Sequence, residues 1–140
     1  MYTWIIAGGG FALGYTVRLG QNLADEWFKA WMLDRRSRKS ARADFIGWIR
    51  YFVDAHDKHR DLFCSTPEGT EAFEDALREH MRGVKSFALD NRKMLNGHAD
   101  AALEISLDFE GIAQKEGYAV NNEAELNRTC GRLRGLMDRL

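Results

Sequence analysis

Proline is nearly missing from this chain: Pro67 is the only one, and no stretch is rich in proline, glycine and serine together. That excludes an extended proline-rich segment and a flexible linker between two large domains. With 140 residues, the chain is long enough for one helical core and too short for two. Cysteine is also scarce. Cys64 and Cys130 stand far apart, with no CxxC, so zinc-ribbon and haem-attachment spacings are excluded. Two buried free thiols in a reducing compartment are expected. Strict alternation of apolar and polar residues is absent over any useful length, which argues against a sheet.

Charge is missing from one place in particular. Residues 2–17, YTWIIAGGGFALGYTV, contain no ionisable side chain of fixed charge, and Arg18 is the first. Elsewhere charge is unevenly spread. Residues 1–40 carry six Lys/Arg against three Asp/Glu, and residues 41–140 carry fourteen against eighteen. The basic excess concentrates in RRSRKSAR (35–42), whose cations are candidates to bind lipid headgroups or an acidic partner. The mildly acidic body argues against a broad nucleic-acid surface, leaving residues 35–42 as the one candidate for such binding.

The glycine run in WIIAGGGFALG invites two cofactor interpretations, and spacing removes both. A dinucleotide fingerprint starting at Gly8 and Gly10 needs its third glycine at position 13, which is leucine; Gly14 comes one residue late. Asp34 follows at a suggestive distance, but the segment before it, DEWFKAWML, has helical spacing rather than that of a second strand. A phosphate loop needs Gly-Lys-Ser/Thr, and no lysine occurs before Lys29.

What remains is an apolar helix. Sixteen uncharged residues span roughly 24 Å at about 1.5 Å each, somewhat short of a hydrocarbon core of about 30 Å. Snorkelling by Arg18 extends the stretch to residue 20. Tyr2, Trp4 and Tyr15 sit where interfacial aromatics sit, and Gly10 and Gly14 form a small-xxx-small face for close helix approach. The alternative is an apolar helix buried in protein. A cleavable signal fits poorly, because no basic region precedes the apolar run. All nearby cations (Arg18, Lys29, Arg35, Arg36, Arg38, Lys39) follow the run, so the positive-inside rule puts the N-terminus outside and the remainder in the cytoplasm. Trp27, Phe28 and Trp31 then rest in the headgroup layer or pack on the body.

The body should be an antiparallel bundle of about four helices, making the chain all-α. Phe45, Ile49, Phe52, His56, His59 and Phe63 step by 4, 3, 4, 3, 4 along a helix from about Ala43 to Cys64. Ser65 or Thr66 caps the next helix, with Pro67 at its first position. Its seam is Phe73, Leu77, His80, Val84, Phe87, Asn91 and Met94; Glu74 is placed on the outer face, paired with Arg78. Asn96-Gly97 ends it, with glycine as the left-handed residue. The next helix covers 99–116, lined by Ala102, Ile105, Phe109 and Ile112, with Gly117 as its stop. Asn121 or Asn122 caps the last helix, whose seam is Leu126, Cys130, Leu133, Met137 and Leu140. The expected organisation is an apolar helix at 1–20, an interfacial helix with a basic connector at 21–42, and the bundle at 43–140.

Chemistry is thinly represented. His56, His59 and His80 are weak metal candidates on facing seams, but the paired Glu-x-x-His pattern of di-metal bundles is absent. Half-buried, hydrogen-bonded histidines are the expectation, with no cofactor. Gly131 and Gly135 suggest another close helix contact. No catalytic motif or known family pattern is recognised in these residues. The sequence therefore points to a non-enzymatic accessory or assembly subunit of a membrane-associated complex. Its bilayer contact is through residues 2–20, its partners are other protein subunits, and homo-oligomerisation is left open. The alternatives are a soluble helical adaptor whose apolar N-terminus docks into a partner, and a metal-binding bundle enzyme.

Overall fold

The computed structural model describes the backbone of residues 2–140 and the side chains of residues 25–140. It is all-α, with no strand among the described residues. Those residues form, in order, the helices α1 (Tyr2–Phe63), α2 (Pro67–Asp90), α3 (Arg92–Leu95), α4 (Gly97–Ile112), α5 (Tyr118–Asn121) and α6 (Glu123–Arg139). The chain divides into two compact units, Met1–Ser37 and Arg38–Leu140. Residues 35–42, expected as a basic connector, are helical.

The second unit is a helical bundle built from the C-terminal part of α1 with α2, α4 and α6. Five apolar residues of α1 (Ala41, Phe45, Ile49, Phe52 and Val53) are buried, as helical spacing requires. From α2 come Phe73, Leu77, Met81, Val84 and Ala88; from α4, Ala99, Ala102, Ile105 and Phe109; from α6, Leu126, Cys130, Leu133 and Leu136. Fully burying a large apolar side chain contributes about 1.5–3 kcal/mol, so this one cluster is the main source of stability.

Cross-helix pairs show antiparallel neighbours. Between α1 and α2, Phe45 stacks on Phe87 at 5.7 Å and Tyr51 on His80 at 6.1 Å. Between them the Trp48 ring lies over Gly83, where an added Cβ would come within 2.6 Å of it. From α2 to α4, Lys85 pairs with Glu110 at 2.7 Å. Arg132 of α6 reaches Asp108 of α4. Phe52 and Phe109 meet edge-on at 5.2 Å inside the core.

Helix boundaries obey local chemistry. Thr66 has extended backbone (φ −127°, ψ 153°), and its side chain accepts the Gly69 N–H at 3.0 Å, satisfying one of the unpaired donors at the start of α2. Pro67 lies in the first turn, where a missing N–H costs nothing. Gly69 is required there, since a Cβ would stand 2.1 Å from the Phe63 carbonyl oxygen.

Three expectations about α2 and its junction with α4 need correction. The helix does not run to residue 96. It stops at Asp90, and the Asn91 amide donates to the Phe87 carbonyl at 3.0 Å, competing with helix continuation. The buried seam is also rotated: Met81 and Ala88 are buried where His80 and Phe87 were expected, and both of those are only partly covered. Finally, Asn96 and not Gly97 carries the positive φ (53°), while Gly97 opens α4.

The helix expected over 99–116 spans Gly97–Ile112, so Gly117 is not its stop; with φ +80°, the left-handed region that glycine enters without strain, Gly117 instead precedes α5. Asn122 precedes α6 but makes no side-chain cap, although Glu123 and Glu125 stand in the first turn as expected. Gly131 and Gly135 are not a close helix contact, because an added Cβ at either meets open space.

Candidate functional site

Among the described residues, the clearest feature without a role in the core is an aromatic and basic face in the first unit. Trp27, Phe28 and Trp31 are 70%, 55% and 42% exposed, and Leu33 is exposed as well. Such a concentration of large apolar side chains on one helical segment is uncommon for a surface that meets only water. Phe28 and Trp31 are three residues apart, and their rings lie 6.0 Å centre to centre. Arg35 comes four residues after Trp31. Its guanidinium carbon sits 5.3 Å from the centre of the indole ring, a cation–π contact. Phe28, Trp31 and Arg35 therefore form a contiguous cluster along one helical row, the two rings tilted by 32°.

The remaining cations expected to form the basic patch come next in sequence. Arg36 and Lys39 are exposed and Arg38 is partly covered. Trp4, Gly10 and Gly14, expected to mediate membrane and helix contacts, lie outside the described side chains, as does the span expected over residues 2–20. Among the described residues, no helix is long and apolar enough to cross a membrane.

The bundle holds the histidines apart. His56 is buried, and its Nδ1 pairs with Asp57 at 2.9 Å. His59 is exposed, with its ring edge against Phe63 at 5.8 Å, and His80 stacks on Tyr51. Among the described residues, no group of three or more His, Cys, Asp or Glu is placed to hold a metal ion. Asp57 also receives Arg134 of α6. Burial raises the Asp57 carboxyl, but hydrogen bonds from Arg134 and His56 outweigh it and leave the group below its ordinary range. Arg134 is held above its own ordinary value by the same bond.

The two thiols differ. Both are free, but only Cys130 is buried; Cys64 is half-buried at the end of α1, against the expectation that both are enclosed. Burial pushes the Cys130 thiol up to about 12, so it is protonated and a poor nucleophile at neutral pH.

One polar centre was not anticipated. Glu74, placed by sequence on the outer face, is only 2% exposed. Its Oε2 accepts the Gly117 N–H at 3.0 Å and its Oε1 the Ala119 N–H at 3.2 Å. Its backbone carbonyl accepts the Tyr118 hydroxyl at 2.7 Å. Arg78, expected to pair with Glu74, instead donates to the Ala113 carbonyl at 2.8 and 3.1 Å and to Asp75 at 2.9 Å. Its guanidinium lies 5.1 Å from the Tyr118 ring centre. Burial pushes the Tyr118 phenol above its ordinary value. An adjoining depression of about 390 Å³ is lined by Pro67, Glu71, Asp75, Arg78 and Glu116, among others. Glu74, Tyr118 and Arg78 all fasten the segment between α4 and α6 onto α2, so their chemistry is that of a structural staple.

No protein-family model, curated protein or solved structure matches the chain.

Proposed function

We propose that this protein is a non-enzymatic accessory or assembly subunit of a membrane-associated complex, anchored by residues 2–20, with its helical bundle contacting partner proteins on the cytoplasmic side. The observation that carries the proposal is the exposed set Trp27, Phe28 and Trp31, downstream of a sequence stretch without charge and upstream of a run of five cations without an acid. That order of apolar stretch, aromatic belt and basic flank is how a chain emerging from a bilayer is written. The bundle supports a binding role. The buried Glu74 is spent on internal fastening, and the exposed pair Asp57–Arg134 ties α1 to α6. Partly exposed aromatics such as Trp48 and Tyr51 offer contact surface.

Purification from detergent-solubilised membranes tests this proposal. A subunit of a complex elutes with at least one other protein in fixed stoichiometry. Elution of the 16.0 kDa chain without any companion, from native source membranes and at low ionic strength, would overturn it.

A further inference from the structure

We infer that the Phe28–Trp31–Arg35 cluster recognises anionic phospholipid headgroups; the inference rests on the proposed membrane association of α1. The guanidinium carbon of Arg35 lies over the Trp31 ring, 5.3 Å from its centre. Arg35 is exposed, and a guanidinium carries the N–H fork that suits bidentate binding of a phosphate. A guanidinium is weakly hydrated and tolerates the partly dehydrated interface better than an ammonium. Phe28, 6.0 Å from Trp31, and the exposed Trp27 supply the amphipathic rings that settle at headgroup depth.

Charge selects among phospholipids. Lys29, Arg35 and Arg36 are exposed on this segment, as are Asp25, Glu26 and Asp34; the basic run 35–42 carries no acid, and each of its cations near an anionic surface adds to attraction that a zwitterionic surface does not provide. Nucleic acid shares the phosphate but not the demand for exposed rings beside an uncharged segment, and the acidic body would oppose it.

The test uses the full chain carrying Trp4→Phe and Trp48→Phe, so that Trp27 and Trp31 are its only indoles. The protein is reconstituted into vesicles of phosphatidylcholine, or of phosphatidylcholine with phosphatidylglycerol, each doped with brominated lipid. Tryptophan quenching and a blue shift are expected in the anionic vesicles and are expected to be much weaker in the neutral ones. Arg35→Gln with Arg36→Gln should raise the phosphatidylglycerol fraction needed for half-maximal quenching, or the equivalent lipid concentration, about tenfold or more. Equal quenching in both vesicle types, or none in either, overturns the inference. So does a salt-sensitive shift of labelled RNA that the double variant abolishes while lipid quenching is absent. Alkaline washing of the same vesicles reports separately on the anchor. A chain that resists washing but quenches without regard to lipid charge keeps the anchor and loses headgroup recognition; a chain that washes off but quenches only in anionic vesicles does the reverse.

Discussion

The carboxylate of Glu74 accepts the backbone N–H of Ala119 at 3.2 Å, forty-five residues away in sequence. With Gly117 on its other oxygen, it closes the turn that brings α6 back onto the bundle. Removing a buried charged acceptor leaves its donors unsatisfied, at a cost of about 1–3 kcal/mol for each group. Glu74→Ala should therefore destabilise the protein by about 2–4 kcal/mol in urea unfolding, and Glu74→Gln, which keeps one acceptor oxygen, by less. A change within about 0.5 kcal/mol for Glu74→Ala, the range of an ordinary surface substitution, would contradict the staple.

Thr66→Ala should cost about 1 kcal/mol, because it removes the acceptor that caps the start of α2, and Thr66→Ser should recover most of it. Gly69→Ala should cost more than either, since its Cβ would collide with the backbone carbonyl of Phe63 rather than with a side chain able to move. Thermal unfolding of the three variants ranks them directly.

The Asp57 carboxyl is held below its ordinary value in the folded state, so the unfolded chain binds its proton first as pH falls. Its contribution is present above the unfolded value near 3.8 and is lost as pH drops through the lower folded value. Asp57→Asn should flatten the acid limb of the stability curve in that window and leave its shape above pH about 6 unchanged. An acid limb of the same steepness would show that the Arg134 pair does not carry it.

Cys130 titrates in the opposite direction. Its folded value of about 12 lies above the ordinary 9.0, so its contribution is complete below pH 9 and declines as pH rises toward 12. At pH 8, iodoacetamide should modify the half-buried Cys64 well before Cys130, and Cys130 should become reactive only on unfolding. Equal rates for the two thiols in the folded protein would contradict this placement.

The helical frame is legible in the sequence because apolar spacing of 3 and 4 survives in each bundle helix and because Thr66-Pro67 and Gly117 are strong punctuation. The polar centre was not legible. Glu74 lies three residues before Leu77 and seven before Met81, squarely on the buried row, yet a glutamate four residues before an arginine also fits a solvated pair. Only the return of residues 117–119 to that spot, a long-range event with no local signature, decides between them. The rotated seam of α2 lies within the helix: after Leu77 and Val84, both i+3 (His80, Phe87) and i+4 (Met81, Ala88) fit helical spacing, and packing buries the i+4 set. Asn91 separately ends α2, so residues 92–94 belong to the next helix. Asn96 carries the positive φ expected of Gly97, and spacing cannot choose between neighbours. For the aromatic and basic face, the sequence supplied the residues, while the contact of Arg35 with Trp31 and their exposure emerge only in three dimensions.

The proposed role stands or falls on attachment to the bilayer, and extraction of native membranes at alkaline pH measures that attachment most directly. After high-speed centrifugation, an anchored chain stays in the pellet and is released only by detergent. Recovery of the full-length chain in the alkaline supernatant would contradict the anchor and favour a soluble helical adaptor whose apolar N-terminus docks into another protein.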